Sequence, residues 1–183
     1  LTAAGLSHSE AISRMGMLNG MVMPLIFLPG MFSGALGTVS TPAVAGCRCS
    51  RRRNRLAGRL LALSALVGSG CAALLYAMAP LIGEKVYALP EVGPLLRFMT
   101  PLAVLLPVQQ VLSGIMAGLG LQKNSFFASL VGAAVTLLLT WLWTEGMGIW
   151  GAGYANMIGH VVTLVGCVLS FLLNKKTAAE AAD

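Results

Sequence analysis

Two adjacent glutamines, Gln109 and Gln110, lie inside a stretch without a charged residue from Phe98 to Gln122. Polar side chains in an apolar run are costly, so they are functional candidates by default. Here the amides either bind sugar hydroxyls or a pyrophosphate, or they bridge to a neighbouring helix. Pro107 stands two residues earlier, and its missing N–H frees a backbone carbonyl at a similar depth. Asn19 and Asn156 carry the same two readings. His160 offers either a protonation step for ion coupling or a neutral imidazole hydrogen-bonded to the next helix. Arg14, at the mouth of the first apolar run, fits an anionic phosphate or headgroup, or serves as a snorkelling anchor.

The stretch CRCSRRRNRL, residues 47 to 56, raises a different chemistry. A structural zinc site needs four ligands, and Cys47 and Cys49 have no third or fourth ligand nearby, so no metal is expected. Nucleic-acid binding needs an extended basic face, which a short connection between two spans does not offer. Arg48, Arg51, Arg52, Arg53, Arg55 and Arg59 instead fit a topology signal and a contact with anionic lipid or a lipid-linked phosphate. Acylation of the two juxtamembrane cysteines is a further option. The glycines of GMGIWGAG, residues 146 to 153, follow no strand and form no phosphate loop. HExxH and nucleophile-elbow patterns are absent, so neither an enzyme nor a cofactor is expected.

These side chains must be held by elements built for lipid. Hydrophobic residues make up 57% of the chain and charged residues 10%, with a mean hydropathy of +0.83. Five uncharged runs, Met15 to Cys47, Leu60 to Gly83, Phe98 to Gln122, Asn124 to Thr144 and Gly146 to Asn174, each reach the ~20 residues needed to cross a bilayer. None alternates with the period of a barrel strand, so the fold class is all-α: a polytopic membrane helix bundle forming one domain over residues 1–183. The helices are expected at about 15–45, 60–83, 98–121, 125–144 and 152–173. Prolines and glycines in the first run point to one kinked helix with unwound or interfacial ends. Alternation then groups nine of the 12 basic residues on one side: the six arginines above with Lys123, Lys175 and Lys176. This bias sets the start of the chain outside and its end in the cytoplasm of a multi-pass protein of the cell membrane. Trp141, Trp143, Trp150 and Tyr154 bracket the outer turn between the last two helices, as interfacial anchors do.

Three segments, GMLNGMVMPLIFLPGMFSGALGTVSTPAVA (16–45), LLRFMTPLAVLLPVQQVLSGIMAGLGLQKNSFFASLVGAAV (95–135) and GIWGAGYANMIGHVV (148–162), carry a family likeness. They resemble the polysaccharide-flippase branch of the MATE-like exporter superfamily, and most of all stage V sporulation protein B and its relatives, which include lipid II flippases. The most specific piece is QQVLSGIMAGLG, from Gln109 to Gly120. The resemblance implies a fragment of a two-bundle transporter, corresponding to part of the second bundle. Its implied partners are membrane lipid, a lipid-linked sugar or cell-wall precursor moved by alternating access, and an N-terminal bundle not contained here. After TPAVA the chain departs from the family pattern, because GCRCSRRRNRL takes the place of a short acid-containing segment. Two other readings stay open: a non-transporting remnant or scaffold, and a cation-coupled multidrug exporter. All six acids fall outside the five runs, which counts against the cation-coupled multidrug exporter.

Overall fold

The computed structural model describes residues 8–47 and 49–180, and Arg48 lies outside them. Helix α1 (His8–Gly16) continues through a π-helical stretch (Met17–Val22) into α2 (Met23–Ala45). Helix α3 (Ser50–Leu81) runs into a second π-helical stretch (Ile82–Val86) and is followed by α4 (Val92–Met99), α5 (Leu102–Gly118), α6 (Gln122–Met147) and α7 (Ile149–Glu180). Among the described residues there is no strand. Four continuous spans, Ile12–Ala45, Ser50–Val86, Gln122–Met147 and Ile149–Asn174, are long and apolar enough to cross a membrane, and α4 with α5 makes a bent fifth.

The all-helical bundle follows the hydropathy, but three of its details differ from the expected boundaries. The first run does not unwind at its ends; it stays helical and absorbs the irregularity in a π-helical stretch, where one extra residue per turn is accommodated. The third span is broken rather than straight, with a bend of 40°. Pro101 has no N–H to donate, and the ladder is rejoined by Thr100 N–H donating to the Arg97 carbonyl at 3.3 Å and Ala103 N–H to the Thr100 carbonyl at 2.9 Å. Helix α3 begins at Ser50, ten residues before the uncharged run, so Arg51 to Arg59 ride on a helix and not in a loop. Arg, Leu and Ala are strong helix formers, and a helix leaving the bilayer satisfies its own backbone.

The short turns are set by local chemistry. At the end of α5, Gly120 adopts φ +75°, while its N–H donates to Ala117 and the Leu121 N–H to Met116, at 3.0 and 2.8 Å. This is a Schellman closure, in which glycine avoids a Cβ clash. Gly148, with φ +59°, joins α6 to α7 as a single residue. One apolar cluster gathers the first π-helical stretch and the start of α2 with the end of α3, α4 and the starts of α5 and α7. At the opposite end, Val44, Ala57, Val111 and Ile115 pack together with Phe171 against them. The two clusters fix the up-and-down order of the spans.

Between these ends the helices meet backbone to backbone. A Cβ on Gly114 of α5 would overlap the Gly37 carbonyl of α2, and one on Gly118 would stand 2.5 Å from the Thr41 carbonyl. Thr41 Oγ1 donates to the Gly114 carbonyl at 3.0 Å across this seam. The α6–α7 seam is reciprocal: a Cβ on Gly132 would meet the Thr163 hydroxyl, and one on Gly159 the Thr136 hydroxyl. Each threonine donates to the carbonyl of the glycine four residues earlier, at 3.0 Å. Small residues allow such approach in lipid, where apolar burial gives no net drive. Gly114→Val is therefore expected to cost about 3 kcal/mol or more in detergent-micelle unfolding, because a backbone carbonyl cannot yield as a side chain does. Gly58→Ala and Gly70→Ala, which open onto free space, are expected to leave the unfolding midpoint within the range of ordinary surface changes.

Candidate functional site

Helix α5 is the central element, packed against α2, α3, α6 and α7. Its two glutamines are consecutive on a helix and so point about 100° apart. Gln109, half-buried, turns to α7, where its Oε1 lies 3.1 Å from Nδ1 of His160. Gln110, exposed, turns to α2 and lies across its glycines: a Cβ on Gly30 would stand 3.3 Å from Gln110 Nε2, and one on Gly34 3.8 Å from its Oε1. The pair therefore faces two different helices and does not form one amide surface.

Asn156 stands one turn before His160 on the same face of α7, and its Nδ2 donates to the Ala152 carbonyl at 3.2 Å. Asn19 is exposed within the first π-helical stretch, and its Nδ2 donates to the Met15 carbonyl at 3.3 Å. Gln109 and His160 thus meet across the α5–α7 contact, whereas the amide hydrogen bonds of Asn156 and Asn19 stay within their own helical segments. Arg14, half-buried, borders a cavity of about 300 Å³ with Glu91 and Trp150.

Several polar contacts carried no sequence signal strong enough to single them out. Ser113 Oγ lies 3.1 Å from Ser125 Oγ, and Ser125 Oγ 3.9 Å from Cys167 Sγ, linking α5, α6 and α7. Their small size and helical spacing are indistinguishable from packing residues in the sequence. At the end remote from the arginines, Arg97 places its guanidinium 5.1 Å from the Tyr76 ring centre and donates from Nε to the Tyr76 carbonyl at 3.3 Å. Phe98 meets Trp150 and Tyr154 edge-on at 5.3 and 4.6 Å, so aromatics expected as interfacial anchors also fasten α4 to α7.

At the opposite end, the last turn of α2 and the first turns of α3 enclose a hollow of about 830 Å³ that Cys47, Cys49, Arg52, Arg55 and Arg59 border. Arg51, Arg52, Arg55 and Arg59 are exposed, and Arg53 is half-buried. Cys49 occupies the N-cap of α3 with extended backbone. The N–H groups of Arg52 and Arg51 stabilise its thiolate, with Arg52's charge adding to the effect, and hold the thiol below its ordinary range. Both cysteines are free, and among the described residues no three His, Cys, Asp or Glu side chains gather.

Together these features define a polytopic helical membrane protein with a glycine-seamed core and one strongly basic end. A solved structure of a multidrug resistance MATE family transporter of the MOP superfamily, in an inward-facing conformation, superposes with a TM-score of 0.71 at 23% identity over 87% of this chain. The chain has the fold of one portion of a MATE-type transporter, spanning 37% of that protein's length. No protein-family model and no curated protein matches it.

Two measurements probe this geometry. A double-mutant cycle of Gln109→Ala and His160→Ala, read by unfolding in mixed micelles, is expected to give a coupling of about 1 kcal/mol, and additivity would mean that the contact is idle. Alkylation of Cys49 by iodoacetamide against pH is expected to show a midpoint below that of a free cysteine, since the thiolate is the reacting species and is favoured here.

Proposed function

We propose that this chain is part of the second bundle of an exporter that moves a lipid-linked oligosaccharide or peptidoglycan precursor across the cytoplasmic membrane by alternating access. In this reading the arginine end faces the cytoplasm, the N-terminal end of the chain faces outward, and a first bundle completes the substrate path. The observation that carries it is the distribution of polar groups. The interior of the spans holds neutral amides and one imidazole, while the carboxylates whose side chains are described, Glu10, Glu84, Glu91 and Glu145, stand at the ends of helices. Neutral hydrogen-bonding groups suit sugar hydroxyls, and an excess of arginine at one mouth suits a phosphate-bearing ligand. Among the described residues, a cationic drug would meet carboxylates only at the ends of these spans, at Glu84 and Glu145.

The multidrug reading has its own support, because the superposed transporter is a multidrug resistance protein. Its counter-charge would have to come from the first bundle. A remnant that inserts without transporting is the third possibility, and it predicts no activity of any kind.

The two active readings separate in proteoliposomes containing this chain together with its first bundle. Translocation of a fluorescent lipid-linked precursor is expected, and Gln109→Leu with Gln110→Leu is expected to lower its rate by about tenfold, the factor for losing one or two neutral hydrogen bonds. Proton-driven dye efflux without precursor translocation would overturn the reading in favour of drug export.

A further inference from the structure

The six arginines are more than a signal for orientation, because three of them are arranged. Arg52, Arg55 and Arg59 recur at i, i+3 and i+7, so they share one face of α3 within about 60° of arc, and that face is the wall of the hollow. Arg53 lies on the same helix yet borders neither this hollow nor the smaller one beside it. Seven residues of helix separate Arg52 from Arg59, about 10 Å of axial rise.

The described carboxylates, Glu10, Glu84, Glu91 and Glu145, all stand at the far ends of the spans, so none balances these guanidiniums. The negative end of α2 is muted as well. The Gly46 N–H donates to the Pro42 carbonyl at 2.9 Å, and the Cys47 thiol to the Ala43 carbonyl at 3.3 Å. Across the hollow, the first turn of α3 directs its N–H groups to the rim, where those of Arg52 and Arg51 face the Cys49 sulfur. Pro42, Ala43 and Leu56 supply an apolar lip. About 830 Å³ is within the size range of small-ligand sites.

We propose that this hollow, between the end of α2 and the start of α3, binds the phosphate of an anionic lipid headgroup, held by the guanidinium forks of Arg52, Arg55 and Arg59. Arginine matches phosphate oxygens with paired donors, and the apolar lip receives the glycerol end of the lipid. A soluble phosphate would satisfy the same forks without using the lip. The assignment is independent of which substrate the complete transporter carries and of which leaflet the arginine end faces.

Cys49 lines the hollow and therefore reports on its occupancy. The chain is reconstituted in neutral phosphatidylcholine bilayers and labelled briefly with N-ethylmaleimide, and the extent of reaction at Cys47, Cys49 and Cys71 is read by mass spectrometry. Phosphatidic acid, added in steps, is expected to slow labelling of Cys49 and Cys47 in a saturating manner, while Cys71, farther along α3 and not at the hollow, labels unchanged. Inorganic phosphate in place of the lipid is expected to protect only weakly; protection equal to that by phosphatidic acid would assign the site to a soluble phosphate. Arg55→Gln is expected to shift half-protection to about tenfold more phosphatidic acid, as loss of a charge-assisted hydrogen bond requires. Arg53→Gln, with the same change in charge, is expected to shift it by about twofold or less. No protection by either ligand, equal slowing at Cys71, or equal shifts from the two substitutions would overturn the proposal, the last by reducing the effect to surface charge. The comparison of Cys49 with Cys71 in the unaltered chain decides the matter even if Arg55→Gln fails to fold.

Discussion

The contact on which the bundle depends is the one between the backbones of α2 and α5 at Gly37 and Gly114. In hydrocarbon, burying leucine against leucine gains little over burying it against lipid, so helix association rests on close packing and shared polar groups. With no side chain on either glycine, the two backbones touch, and Thr41 closes the gap with a hydroxyl to the Gly114 carbonyl. That approach makes α5 the hub. It brings Gly30 and Gly34 up to Gln110 and leaves Gln109 facing the other way, to His160. The chemistry of the candidate site is thus a consequence of where two glycines allow α5 to sit.

The α6–α7 hairpin solves the same problem by a different arrangement. Each helix offers a glycine and, four residues later, a threonine whose hydroxyl is retained by that glycine's carbonyl, so the hydroxyl of one helix fills the notch of the other without leaving a polar group unsatisfied. The seam consumes one face of α6 only. Leu137 and Trp141, each 73% exposed, show that the opposite face is largely uncovered by the described residues. On α2, Met31 and Phe32, at 74% and 70% exposure, do likewise. Such faces are stable against lipid or further helices.

The number of spans was legible because charge-free length is a one-dimensional property, readable from Met15 to Cys47 or from Gly146 to Asn174 without knowledge of packing. The break at Pro101 was less so. Pro101, Pro29 and Pro42 look alike in sequence, yet only the first interrupts a helix, since Pro29 and Pro42 remain inside α2. Whether a proline breaks or merely bends a helix depends on what neighbours restore the lost hydrogen bond, and that is a tertiary property. The start of α3 was misplaced for a related reason: charge marks where a helix leaves the bilayer and not where it ends. Among the site residues, Gln109 and His160 were legible as polar groups at membrane depth, but their contact joins residues 51 apart, and no spacing rule reaches across that distance. The opposed directions of Gln109 and Gln110 follow from helical geometry alone once the run is read as a helix.

A helix that carries its arginines past the bilayer does something that a flexible loop could not. In a loop, six cations between two spans bias orientation through their sum, and their order has little consequence. On α3 the order becomes a surface, with Arg52, Arg55 and Arg59 on one side and Arg53 on another. The sum still biases orientation, while the arrangement adds a fixed concentration of positive charge beside the uncharged end of α2. A basic segment thereby acquires geometry, and geometry distinguishes a phosphate from the general negative potential of a membrane surface.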